Sequence, residues 1–174
     1  MYSIPPSRPY YPNFSTVYLY SPMLELAHAL TGGVIAYEIG NPALSLPLAF
    51  ASHFVVDLLP HWNPHLSTEK KRLGFISHKT TFFILIDCLI GLTLGLFLAF
   101  KALPDARRMF LVIAGCFLAI LPDLIEAPFY FLNQKGKFIK KLVNFQGKIQ
   151  YGVHFWPGML FQALYVSALL YLVR

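Results

Sequence analysis

Charge is scarce in this chain of 174 residues: only 13% are Asp, Glu, Lys or Arg, about half the quarter found in soluble domains. With 56% apolar residues there is too little polar side chain to clothe a soluble globule of this size. Disorder is excluded by the 16% aromatic content, the opposite of a disordered composition. Cysteine is limited to Cys88 and Cys116, both inside apolar stretches, where they read as small core residues and not as a disulfide. No cleavable signal peptide is visible, because the first 21 residues are rich in Tyr and Pro and hold no continuous apolar core. His-Glu-x-x-His and Gly-x-Ser-x-Gly are missing too, which argues against an intramembrane metalloprotease and a serine nucleophile. What remains is a small integral membrane protein of one domain.

Fourteen basic residues face eight acidic ones. In a soluble protein that balance points to nucleic acid. Here the lysines cluster between apolar stretches, as loops against an anionic leaflet do, so the expected partner is the lipid bilayer and no nucleic acid is expected. Apolar runs near the ~20 residues that span a hydrocarbon core number five, at about 22–39, 42–59, 75–100, 108–132 and 151–173. Asn41-Pro42 makes the first two a tight helical hairpin, and Pro60 stops the second. The expected fold is an all-α polytopic bundle of about five transmembrane helices over 22–174, preceded by a flexible tail, 1–21.

Five crossings place the termini on opposite sides. One face carries nine basic residues and the other four, so the positive-inside rule puts the N-terminus in the cytoplasm and the C-terminus outside, in a prokaryotic-type inner membrane. On that map all six histidines, His28, His53, His61, His65, His78 and His154, fall at the cytoplasmic face although they come from four of the five segments and a loop. Ionisable groups inside a bilayer are costly, so they pair, face the bundle interior and serve a function.

Histidine with carboxylate is a ligand set for Zn²⁺, Mn²⁺ or Fe²⁺. His53 and Asp57, at i, i+4, share a helix face, and Asp123 and Glu126, at i, i+3, offer a second carboxylate pair. Gly32, four residues after His28, leaves the face beside the imidazole open to another helix or a ligand. Each residue alone has a plainer reading: an interfacial or hydrogen-bonded histidine, an aspartate capping a helix, a glycine packing helices. Asp87 stands apart in the third segment, as a packing group or a reach toward the site. Convergence carries the functional reading.

Ala27-His28-Ala29-Leu30-Thr31-Gly32, the Ser-His-x-x-x-Asp of 52–57 with its trailing Pro60-His61, Ser77-His78-Lys79-Thr80 and Leu121-Pro122-Asp123 together resemble the predicted inner-membrane metal-dependent hydrolases. That family is also described as LexA-binding, inner-membrane-associated hydrolases. The chain departs from the family's pattern at Ile125, where a second Asp is usual, and in the order of its elements. The resemblance implies metal-assisted hydrolysis, with His28, His53, Asp57, His78 and Asp123 as the ligand shell of a divalent metal, zinc first. His61, His154 and Glu126 are then the groups for proton transfer or ligand support. A site at the membrane face implies an amphipathic phosphoester, lipid or isoprenoid, as substrate. The alternative is a non-enzymatic membrane protein: a transporter, a proton or metal relay, or a scaffold.

Overall fold

The computed structural model describes residues 24–173; the expected tail, 1–21, lies outside the described residues. Seven helices follow in order: α1 (Glu25–Ile39), α2 (Pro42–Val56), α3 (Leu66–Leu73), α4 (His78–Lys101), α5 (Ala106–Phe131), α6 (Lys137–Ile149) and α7 (Phe155–Leu172). Among the described residues there is no strand, only one isolated bridge between His61 and Gly152.

Three helices, α4, α5 and α7, are long and apolar enough to cross a membrane, where the sequence reading expects five. The first two expected spans have 15 helical residues each, about 22 Å of rise against the ~30 Å of a hydrocarbon core. The hairpin itself forms as expected. Gly40 ends α1 at φ 66°, a left-handed conformation that glycine adopts without steric penalty. Asn41 then caps α2 by accepting from the Ala43 N–H at 3.0 Å, with Pro42 at the first helical position.

α1 is the central helix. It packs most extensively on α5 and also meets α2, α4 and α7, and nine of its fifteen residues are buried. Leu30 and Val34 join Leu98, Val112 and Leu169 in the main apolar core. Small residues set the closest approach: a Cβ at Gly32 would stand 2.3 Å from the Gly115 carbonyl oxygen, and one at Gly115 2.5 Å from that of Gly32. The open face beside His28 is therefore filled by a helix, α5.

Asp87 acquires a definite role. Its Oδ2 accepts from the Leu26 N–H at 3.4 Å, so a carboxylate in the middle of α4 caps the N-terminus of α1. α1 thus begins beside the tenth residue of α4, about 13 Å along the helix from its start. Cys88 and Cys116 are both free thiols.

Candidate metal centre

Four helices bring the site together. α1 supplies His28, α2 supplies His53 and ends at Asp57, α5 supplies Asp123, and α6 supplies Gln146. All five side chains are buried. His28, His53 and Asp123 each offer one ligand atom, and these atoms lie within 4.8 Å of one another. Asp57 bridges the two imidazoles, with Oδ1 3.5 Å from His28 Nε2 and Oδ2 3.6 Å from His53 Nε2. Asp123 Oδ1 is 3.6 Å from the same His53 nitrogen. The two rings stack with centroids 4.2 Å apart.

The tautomer of His53 is fixed by its other nitrogen. Nδ1 lies 2.7 Å from the Ala119 carbonyl oxygen, and a carbonyl only accepts, so Nδ1 carries the hydrogen. Nε2 is then the acceptor, 3.1 Å from the Gln146 amide nitrogen and 3.6 Å from carboxylate oxygens of Asp57 and Asp123, and a backbone partner behind Nδ1 is what a metal-ligating histidine commonly has. Pro122, one residue before Asp123, lies inside α5 and is buried.

Gln146 is the member that sequence reasoning missed. Its Nε2 donates to Asp123 Oδ1 at 2.7 Å and sits 3.1 Å from His53 Nε2. The lysine-rich stretch 135–148 reads as a loop in the sequence, yet 137–149 is helical. Ile139, Leu142, Val143, Gln146, Gly147 and Gln150 form its inward face, at least half-buried throughout. Their i, i+3, i+4, i+7 spacing was the available signal.

The site lies well inside α5 and not at its end. Asp123 stands eight residues before the end of α5, about 12 Å of helix rise. Glu25 lies within hydrogen-bonding reach of Asp123, and Glu126 interacts with both Asp123 and Asp57. Four carboxyl groups thus converge, and among the described residues no Lys or Arg offsets the charge of Glu25 or Glu126. Burial of that much acid requires cations, either protons or a metal.

The remaining expected residues separate. His61 is buried, with Nδ1 2.8 Å from the Leu59 carbonyl oxygen, and lies near enough to His28 for the imidazoles to interact. Its backbone pairs with the segment leading into α7: His61 N–H donates to Tyr151 O and Val153 N–H to His61 O. His78 and His154 are exposed at the N-termini of α4 and α7 and stand outside the three-ligand group. His65 precedes α3, and burial holds its imidazole below the usual range.

α7 clamps the His61 segment. Gln162 Nε2 donates to Trp62 O at 2.7 Å, and a Cβ at Gly158 would lie 2.5 Å from Trp62 N. Gly158→Ala is therefore expected to displace the 61–62 backbone and lower stability by about 1–3 kcal/mol, read as a fall in apparent Tm against the parent chain.

Between α4 and α5 runs a groove of about 330 Å³ walled by apolar side chains such as Ile84, Leu92, Ile113 and Phe117. Glu25, Asp123 and Glu126 also line it, so an apolar surface on two membrane-length helices leads to the carboxylates of the centre. No protein-family model matches the chain, and no curated protein or solved structure is significantly similar to it.

Proposed function

We propose that the chain is a membrane-embedded, metal-dependent hydrolase acting on the phosphoester of an amphipathic lipid or isoprenoid. The observation that carries this reading is the buried His28–His53–Asp123 group, with its ligand atoms inside 4.8 Å. The donor set suits zinc first, with manganese or iron as alternatives. Among the described residues, His28 Nδ1 and Asp123 Oδ2 have no hydrogen-bond partner, and His28 Nε2 has only the 3.5 Å contact with Asp57; buried polar atoms of that kind fit ligands directed at a cation.

A divalent ion held there would supply Lewis acidity, acidifying a water and polarising a phosphoryl oxygen. The chain's own residues do the rest. Ala119 O keeps His53 in the ligating tautomer. Gln146 orients Asp123 through its amide hydrogen. Glu126, one turn beyond Asp123, and buried His61 are the groups placed to hold or move a proton. The groove between α4 and α5 supports a substrate that approaches laterally, its hydrocarbon in the groove and its phosphoester at Asp123.

The topology proposed from loop charge keeps the N-terminus cytoplasmic in an inner membrane. Counting the α1–α2 hairpin as two crossings or none leaves the start of α4 on the same side.

Elemental analysis of the detergent-purified chain, stripped by chelator and dialysed against micromolar Zn²⁺ or Mn²⁺, tests this. About one equivalent of metal is expected, together with hydrolysis of a long-chain alkyl phosphoester that surpasses that of its water-soluble analogue. Failure to take up any metal would overturn the reading and leave the histidines as packing or a proton path. Metal uptake without hydrolysis across a phosphoester panel would refute the enzyme and retain a metal-binding bundle.

A further inference from the structure

Between α3, the end of α5 and α6 lies a cleft of about 570 Å³ whose cations come from three separate stretches of chain. Lys70 and Lys71 belong to α3, Lys135 to the connection after α5, and Lys140 and Lys148 to α6. Ser67 and Asn144 add neutral hydrogen-bonding groups, Phe129 and Val143 are the apolar lining, and among the described residues no carboxylate lines it. Five ammonium groups around one cavity repel one another, and their common complement is a multiply charged anion.

The cleft is partly pre-organised. Lys70 Nζ donates to Tyr130 O and to Asn133 Oδ1, both at 2.7 Å, and stands 5.8 Å above the Phe129 ring. An ammonium has three donors, so one direction remains for a ligand. Tyr130 is also tied to α3 through a 2.8 Å contact with Ser67 Oγ. The acidic neighbour, Glu69, belongs to a different cleft. Burial alone would raise its carboxyl, but hydrogen bonds from Ser77 and Thr80 outweigh that and hold it below the usual range.

Depth identifies the class of anion. Phe129 lies in the last turn of α5, a helix of membrane-spanning length, so the cleft opens where that helix leaves the hydrocarbon. α6 alongside is amphipathic: Lys137, Lys140, Lys141 and Lys148 occupy its outer side, while Phe138 and Phe145 are exposed at its flank. A basic amphipathic helix with exposed aromatics belongs in the headgroup layer.

We propose that this lysine cleft binds the phosphate-bearing head group of an anionic phospholipid, with a diphosphate head group preferred to a monophosphate. Basic pockets beside membrane helices take such head groups, and the spread of five lysines over this volume exceeds what one phosphate can contact. The assignment is independent of the chemistry at the buried centre and of any metal there.

The test uses the full chain in neutral detergent at fixed ionic strength, with apparent Tm measured before and after adding cardiolipin, phosphatidylglycerol, phosphatidylcholine or sodium pyrophosphate. Cardiolipin near saturation is expected to raise the parent's Tm by about 5 °C or more, phosphatidylglycerol by less, and phosphatidylcholine not at all. Lys140→Gln/Lys148→Gln should lose at least half of that rise. Lys137→Gln/Lys141→Gln, which removes the same charge from the same helix but from residues lining only the neighbouring cleft, should keep it. Equal loss in the two double variants would overturn the site in favour of diffuse attraction. An equal rise with phosphatidylcholine, or with pyrophosphate alone, would overturn the anionic-lipid assignment.

Discussion

Gly32→Val is expected to destabilise the bundle by about 3 kcal/mol or more, the upper part of the overpacking range, and to scatter the candidate metal ligands with it. Even the first added carbon at this position would meet the Gly115 carbonyl oxygen at 2.3 Å and Ala119 Cβ at 2.5 Å. Both belong to the most extensive helix pair in the molecule, α1 against α5, and neither is the far end of a flexible side chain. The helices must move apart as bodies. Small residues at such contacts let backbones approach, and membrane helices associate through that packing because lipid offers no hydrophobic drive. Gly115→Ala, whose Cβ would meet Gly32 O at 2.5 Å and Ala36 Cβ at 2.7 Å, is expected to show the same defect from the other side at about 1–3 kcal/mol. His28 lies one turn before Gly32, and Ala119 both packs on Gly32 and accepts from His53. One contact therefore sets helix spacing and ligand spacing together. Thermal unfolding by far-ultraviolet circular dichroism checks this against Gly136→Ala, where a Cβ would meet nothing nearer than 3.8 Å. A Gly32→Val protein that melts with that reference would show that α1 and α5 do not pack as described.

The parts of the fold legible in the sequence are those whose burial is decided by lipid. α4, α5 and α7 are long, predominantly apolar runs, and composition alone finds them. α1 and α2 are equally apolar but short, and their polar residues are explained only by neighbours: Asp87 reaches from α4 to cap α1. Such a contact spans 61 residues of sequence, and no local pattern encodes it. α6 was hidden for the opposite reason. Its lysines dominate the composition, while the stripe through Ile139, Leu142, Val143 and Gln146 faces inward. For the site, the i, i+4 spacing of His53 and Asp57 and the Pro-Asp at 122–123 were readable, and His53, Asp57 and Asp123 lie together. Loop charge assigns His78 and His154 to the same side as the cluster, but they are exposed at helix starts. Depth along a helix was not resolved by a reading that sorted residues only by side, and the centre is recessed.

Loss of His53 or Asp123 is expected to weaken divalent-metal binding by more than about 100-fold, because loss of a mere supporting partner already costs about 10–100-fold. His53 Nε2 is the atom nearest the middle of the group, 3.6 Å from both Asp57 Oδ2 and Asp123 Oδ1. His53→Ala removes that donor, so His28 and Asp123 remain as two ligands where a zinc site needs three or four. Asp123→Asn keeps the shape but exchanges an anionic donor for a neutral one, and it also changes what Gln146 Nε2 meets. Asp57→Asn is expected to fall in the 10–100-fold range, since Asp57 bridges the histidines without belonging to the three-ligand group. His78→Ala and His154→Ala, at exposed positions outside the group, should leave affinity within about twofold, the ordinary outcome of a surface change. Competition with a chromophoric zinc chelator on the full chain reads all five affinities. Should His53→Ala fail to fold, His53→Gln fills most of the same space and carries the test. An equal loss in His78→Ala would contradict the geometric centre and favour the wider shell implied by motif resemblance. Undiminished zinc in both His53→Ala and Asp123→Asn would remove the buried cluster as a metal site altogether.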